Sequence, residues 1–163
     1  MKKMFLMGRS EAGKTSLTQA LKGEELHYQK TQYTNTNEDT IDSPGEYAES
    51  KWFSVGLACF SFEADVVALV QAADEPFNLF GNCLHGCIQR PLIGVITKTD
   101  SPYANIPMVE LWMKNSGCER IFKVNNVTRE GVSELLEYLK DDLPKLTLEE
   151  AKNKQHIGKA EWQ

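Results

Sequence analysis

A chain of 163 residues, 41% hydrophobic and 25% charged, has the length of one domain and the makeup of a globule able to bury a real core. Its 23 acidic and 18 basic side chains leave a net charge of −5, so nothing electrostatic favours a nucleic acid or an anionic membrane surface as partner. The apolar runs are too short to span a bilayer, Met1-Lys2-Lys3 leads into the first apolar run without a secretory h-region, and no lipidation signal closes the C-terminus; a cytoplasmic protein with no membrane partner is expected.

Met4-Phe5-Leu6-Met7 has the length of a buried strand. Behind it, Gly8-Arg9-Ser10-Glu11-Ala12-Gly13-Lys14-Thr15 matches G-x-x-x-x-G-K-[ST] at every fixed position. A helical segment from Gly13 or Lys14 to about Lys22 follows, with Gly23 as its stop. Strand, glycine loop and helix in this order predict a phosphate-binding loop. Loop N–H groups, the N–H groups opening the helix and the helix dipole all favour an anion at one point. The predicted phosphate contacts are Gly8, Ser10, Glu11, Ala12, Gly13, Lys14, Thr15 and Ser16. Lys14 can reach the β- and γ-phosphates, and the Thr15 hydroxyl can ligate Mg²⁺. Glu11 beside phosphates is repulsive unless it points outward or meets a cation.

Leu26 to Lys30 reads as a connecting loop and Thr31 to Asp42 as a polar edge hairpin, with turn chemistry at Asn35-Thr36-Asn37 and a short second strand at Asp39-Thr40-Ile41. Asp42-Ser43-Pro44-Gly45-Glu46 follows. In D-x-x-G at a strand end, the carboxylate can hold Mg²⁺, commonly through water, and the Gly45 N–H can approach a γ-phosphate. Glu49 to about Ser61 looks helical, and Ala64 to Val70 is an apolar strand covered on both faces. Phe77 to Ile88 is a predicted helix, weakened by Gly81 and Gly86. Four cysteines, Cys59, Cys83, Cys87 and Cys118, belong to a reducing compartment. Cys83 and Cys87 invite a zinc reading, but no second pair completes the ligand set, and small buried thiols fit better.

Pro91 to Ile96 is a further buried strand, ending in Thr97-Lys98-Thr99-Asp100. Helix over Ile106–Asn115, stopped near Gly117, strand over Arg120–Val124, the loop Asn125-Asn126-Val127 and a last helix from Val132 to about Leu143 complete the domain, predicted as residues 1–144. Residues 145–163 read as a polar C-terminal extension. The alternation predicts an open, mostly parallel α/β sheet with helices on both faces. All three motifs follow strand carboxyl ends, where ligands bind in such sheets.

Thr97-Lys98-Thr99-Asp100 resembles the [N/T]-K-x-D base-reading motif of translation-factor-type GTPases. The Asp100 carboxylate can accept from guanine N1–H and the 2-amino group, a donor pair that adenine lacks. The Lys98 stem can cover the base plane. The remaining base-seating positions are Thr97, Asn125, Asn126 and Val127. Thr97 stands where Asn is commoner, which predicts the loss of an amide that braces the glycine loop; Asn125-Asn126-Val127 replaces Ser-Ala-Lys. The switch threonine that would join Thr15 and Asp42 on Mg²⁺ is Thr31 or Thr34. Glu46 stands where many relatives orient the attacking water with glutamine, and acts either as a weak base or as a helix N-terminal acid.

A closer resemblance lies in Gly8-Arg9-Ser10, Leu17-Thr18-Gln19-Ala20-Leu21, Gly23-Glu24-Glu25-Leu26, Tyr28-Gln29-Lys30-Thr31-Gln32-Tyr33 and Ile41-Asp42-Ser43-Pro44-Gly45-Glu46-Tyr47. These look like the EutP/PduV family of ethanolamine and propanediol utilisation. The resemblance implies a Ras-like P-loop NTPase fold, with a six-stranded sheet carrying one antiparallel edge strand. It further implies nucleotide binding, and association with bacterial microcompartment shell or pathway proteins. Three functions remain open: a Mg²⁺-dependent GTPase-like switch taking GTP/GDP or, alternatively, ATP/ADP; a kinase passing a phosphoryl group from ATP to a small acid such as acetate; and a non-catalytic interaction protein. The catalytic candidates are Lys14, Gly45 and Glu46.

Overall fold

Every residue of Met4–Met7 (β1) and Val66–Ala72 (β4) is buried, as continuous apolar runs require when helices cover both sheet faces. In the computed structural model of the chain, the described residues are 1–25, 35–36, 40–42, 61–81, 84–86 and 88–140. The other strands are Asn35–Thr36 (β2), Thr40–Asp42 (β3), Leu92–Thr97 (β5) and Arg120–Lys123 (β6). The helices among the described residues are Lys14–Lys22 (α1), Ile106–Ser116 (α2) and Val132–Lys140 (α3).

The sheet has six strands in the order β2-β3-β1-β4-β5-β6. Only the β2–β3 pair is antiparallel; β3, β1, β4, β5 and β6 run parallel. The registers Phe5↔Ile41 and Phe5↔Val67 put β1 in the middle. The chain leaves β1 toward β3 on one side and crosses back to β4 on the other, so the strand order reverses beside β1. Such a reversal opens a crevice at the strand carboxyl ends.

Side chains alternate across the sheet with period two. Met4, Leu6, Val66, Ala68, Val70, Ile93, Val95 and Phe122 face α1 and α3, meeting Leu17, Ala20, Leu135 and Leu139. On the opposite face Ile96 packs with Val109 and Met113 of α2, and Phe5, Val67, Leu69 and Leu92 form a further cluster. Gly94 of β5 points at α2, where a Cβ would meet Met113 Sδ. Its missing side chain lets that helix lie close.

Local chemistry sets the helix ends. Gly23 closes α1 with φ 72°, its N–H donating to Ala20 O while Glu24 N–H donates to Gln19 O; Gly117 closes α2 in the same way. This is the left-handed terminus that favours glycine. Asn105 opens α2 by accepting from Met108 N–H at 3.3 Å.

Several sequence-based expectations need correction. No helix spans Phe77 to Ile88: the described part is irregular apart from a single 3-10 turn at Leu84–Gly86. The Asn78 carbonyl accepts from Phe80 N–H at 3.1 Å, and Phe77 O accepts from the Gln71 amide at 3.1 Å. Side-chain bonds of this kind compete with helical ones. Asn35 and Thr36 belong to β2 rather than to the turn, because they pair with Asp42 and Ile41. Strand β4 begins two residues later than its apolar run and continues through Ala72, since Gln71 and Ala72 pair with Ile96 and Thr97. Asp65 stays out because its carboxylate accepts from Lys3 N–H. The helix expected over Glu49–Ser61, apart from Ser61, the cysteines Cys59, Cys83 and Cys87, and the 145–163 extension lie outside the described residues.

Candidate functional site

Strand β1 ends at Met7, and the next residue must pass directly over β4. A Cβ on Gly8 would run into Val70 O, a backbone atom with nowhere to go. Only glycine fits. The chain then folds into a tight loop in which Ala12 N–H donates to Arg9 O at 3.2 Å. Glu11 and Gly13 take positive φ of 65° and 89°, and α1 starts at Lys14. The N-terminal N–H groups and positive dipole end of α1 therefore face the loop.

Lys14 is 6% exposed. Its ammonium donates to Gly8 O at 2.8 Å and Arg9 O at 2.9 Å. A buried ammonium needs such partners, and these fold the lysine back over the loop. Thr15 and Ser16 follow on the same first helical turn, both half-buried.

The loop is tied to the carboxyl ends of the three strands beyond β1. At the end of β4, Glu75 accepts from Arg9 Nη1 at 3.0 Å, and the Arg9 guanidinium lies 5.3 Å from the Phe77 ring centre. At the end of β5, the buried Thr97 hydroxyl donates to Ala12 O at 2.6 Å. Beyond β6, Asn126 Nδ2 donates to Gly13 O at 3.1 Å, a carbonyl that also accepts from Leu17 N–H. Thr97 lacks the amide of the commoner Asn, as expected, and its hydroxyl makes a brace in that place. A hydroxyl from one strand end and an amide from the next brace adjacent peptides.

Lys98 has φ 51° and is exposed, Thr99 is half-buried and Asp100 exposed. Ala73 N–H donates to Thr97 O, and the Ser101 hydroxyl to Asp74 Oδ2 at 3.0 Å, which joins the β4 and β5 loops. Asn125 Oδ1 accepts from the N–H groups of Val127 and Thr128, shaping the turn that carries Asn126; Val127 is exposed. A cavity of about 390 Å³ lies between these loops, lined by Arg9, Ser10, Glu11, Asp74, Glu75, Pro76 and Lys98. The volume falls in the range of small-molecule sites. Asp42 ends β3 opposite Leu6 of β1, in the strand beside the glycine loop. Thr31, Gly45 and Glu46 lie outside the described residues.

The structure therefore brings together Gly8 to Ser16 and the loops that begin at Thr97 and Asn125. Asp74 and Glu75 were not singled out from the sequence as site residues. The signal that could have found the two acids is their position just past the carboxyl end of a buried parallel strand.

The one cysteine among the described residues, Cys118, has its thiol pushed up to about 12 by burial. Glu110, beside Lys114 and Lys123 at 3.2 Å each, is held below the usual carboxylate range by hydrogen bonds from those two ammonium groups.

A parallel sheet with its order reversed beside β1, and a glycine loop running from that strand into a helix, define the Ras-like P-loop NTPase fold. A solved structure of Methanosarcina barkeri Roco2 RocCORdC bound to GDP shares it, with a TM-score of 0.56 and 22% identity over 85% of this chain and 47% of that one. The chain belongs to the PduV-EutP family of ethanolamine and propanediol utilisation, which matches residues 1–141. It is 43% identical over 141 residues to the propanediol utilization protein PduV of Citrobacter freundii, covering 85% of this chain and 93% of the relative. It is also 32% identical over 143 residues to the probable acetate kinase EutP of Escherichia coli, covering 85% and 89%. Among the described residues no helix is long and apolar enough to cross a membrane.

Proposed function

We propose that the chain binds and slowly hydrolyses a Mg²⁺-chelated purine nucleoside triphosphate, GTP in preference to ATP, in service of ethanolamine or propanediol utilisation. The observation that carries this reading is the seat of Lys14. Its ammonium lies against Gly8 O and Arg9 O at the mouth of α1, where a phosphate held by the loop N–H groups would meet it. Phosphate contacts are assigned to Gly8 and to Ser10 through Ser16, and the base to the loops of Thr97, Lys98, Asp100 and Asn125 to Val127. The preference for guanine rests on the Asp100 carboxylate.

A hydroxyl and a carboxylate are the hard oxygen donors that Mg²⁺ takes. Thr15 and Asp42 would hold it, with Thr31 as the third candidate, and it would supply charge neutralisation for the phosphates. The chain's own groups do the rest. Lys14 stabilises charge on the transferring group, the Gly45 N–H approaches the γ-phosphate, and Glu46 orients or weakly deprotonates the attacking water. Residues 1–144 make up the nucleotide domain, with 145–163 as its extension. The family supports a place among pathway proteins, in the cytoplasm or at a microcompartment shell.

A second reading is favoured by the similarity to the Escherichia coli relative, a probable acetate kinase. The γ-phosphoryl of ATP would pass to a carboxylate oxygen of acetate, breaking the β,γ P–O bond and leaving ADP and an acyl phosphate. One panel separates the readings: calorimetry with GDP, GTP, ADP and ATP in Mg²⁺, then nucleotide turnover with and without acetate. Guanine-selective binding with acetate-independent phosphate release supports the hydrolase. Acetate-dependent ADP formation supports the kinase, and absence of binding leaves a non-catalytic interaction protein. Lys14→Ala is expected to lower affinity at least tenfold, roughly the value of one charge-assisted hydrogen bond in such a site.

A further inference from the structure

We propose that Thr97 and Asn126 are positioning residues which together replace a single bracing amide and aim two of the glycine loop's N–H groups. The inference rests on the nucleotide-site reading for its purpose, though its geometry stands without a ligand. A peptide unit is planar and trans, so its carbonyl and its N–H point in opposite directions. Fixing a carbonyl on one side therefore fixes where the N–H points on the other. Thr97 Oγ1 holds Ala12 O at 2.6 Å, and that peptide carries the Gly13 N–H. Asn126 Nδ2 holds Gly13 O at 3.1 Å, and that peptide carries the Lys14 N–H. These are successive donors at the loop-to-helix junction.

The two braces converge although 29 residues separate them in sequence, from 97 to 126. A methyl built on Gly13 would lie 3.1 Å from Asn126 Nδ2 and 3.5 Å from Thr97 Oγ1. Thr97 is 0% exposed and Asn126 9%, so both bonds are made largely out of water, where they orient most firmly. Asn126 Oδ1 has no donor among the described residues. Exchanging the ends of the amide would set that oxygen against Gly13 O, so the bond to the loop decides the side chain's orientation. Asn125 in turn holds the turn that carries it, through Val127 and Thr128 N–H. The Nδ2 end of Asn126 is thus committed to the shape of the loop.

Amide hydrogen exchange in the unliganded protein tests this. Asn126→Ala is expected to speed exchange at the Lys14 amide about three- to tenfold, and the near-isosteric Thr97→Val to do the same at Gly13, with β1 and β5 unchanged. Adding Thr97→Asn to Asn126→Ala supplies an amide from the other side and is expected to restore protection. Affinity for the nucleotide that the unmodified protein binds should fall and return in parallel. Unchanged exchange at both amides overturns the proposal, as does acceleration spread evenly over β1 and β5, which would mean general loosening. If one variant does not fold, the other still decides. Should the unmodified protein bind no nucleotide while exchange behaves as described, the nucleotide reading falls and the brace stands.

Discussion

Replacing Gly8 with alanine adds one methyl at the junction of β1 and the glycine loop. The new Cβ would overlap Val70 O and press on Val70 C and Cβ, at 3.2 and 3.3 Å. The obstacle is backbone in the middle of a strand buried along its whole length, so no rotamer change relieves it. Either β1 and β4 separate or the loop lifts. Overpacking of this kind costs about 1–3 kcal/mol. At about 2–4 °C per kcal/mol for a domain of this size, the melting temperature should fall by roughly 2–12 °C. The control carries the same methyl elsewhere: Gly81 has nothing within 4 Å of its ideal Cβ and no positive φ. Gly81→Ala should stay within about 0.5 kcal/mol of the parent, or gain slightly through the unfolded chain. Circular dichroism melts of the three proteins, with calorimetric nucleotide titrations at 25 °C, provide the comparison. A Gly8→Ala melt coincident with that of Gly81→Ala would refute the argument that backbone proximity dictates this glycine. So would full retention of affinity in Gly8→Ala, because a lifted loop cannot keep its donors aimed.

Asn105→Ala removes the side chain that accepts from Met108 N–H, and a lost N-cap of this kind costs about 1 kcal/mol, read as a small drop in the denaturant midpoint with unchanged slope. Cys118 has a folded thiol near 12 against about 8.5 in an unfolded chain. Its contribution is complete below the unfolded value and is lost as pH rises toward the folded one. A variant with the other three cysteines replaced by serine should therefore lose stability between about pH 8.5 and 12, more steeply than one that also carries Cys118→Ala. The same variant should react slowly with a maleimide at neutral pH, because little of the Cys118 thiol is ionised there. Arg9→Ala should have a modest effect on stability, since Arg9 is 40% exposed in its pair with Glu75 and such pairs contribute about 0.2–1 kcal/mol; a larger loss in a melt would show that the tie does more than anchor the loop.

The amino-acid order by itself determined the parts whose cause is local. The apolar run at Met4–Met7, the glycine spacing to Lys14, and the stops at Gly23 and Gly117 each follow from burial or backbone freedom within a few residues, and the structure places each element there. The described part of Phe77 to Ile88 departs from the predicted helix because the Asn78 and Gln71 side chains take up its backbone groups. Only the tertiary structure decided that Thr97, Asn126 and Arg9 meet around one loop, or that Glu75 is the carboxylate Arg9 finds. Those partners come from the carboxyl ends of three different strands, and parallel pairing at fixed register brings the ends side by side. Local pattern reports which face a residue presents, whereas a hydrogen bond spanning 113 residues is set by how the strands are stacked.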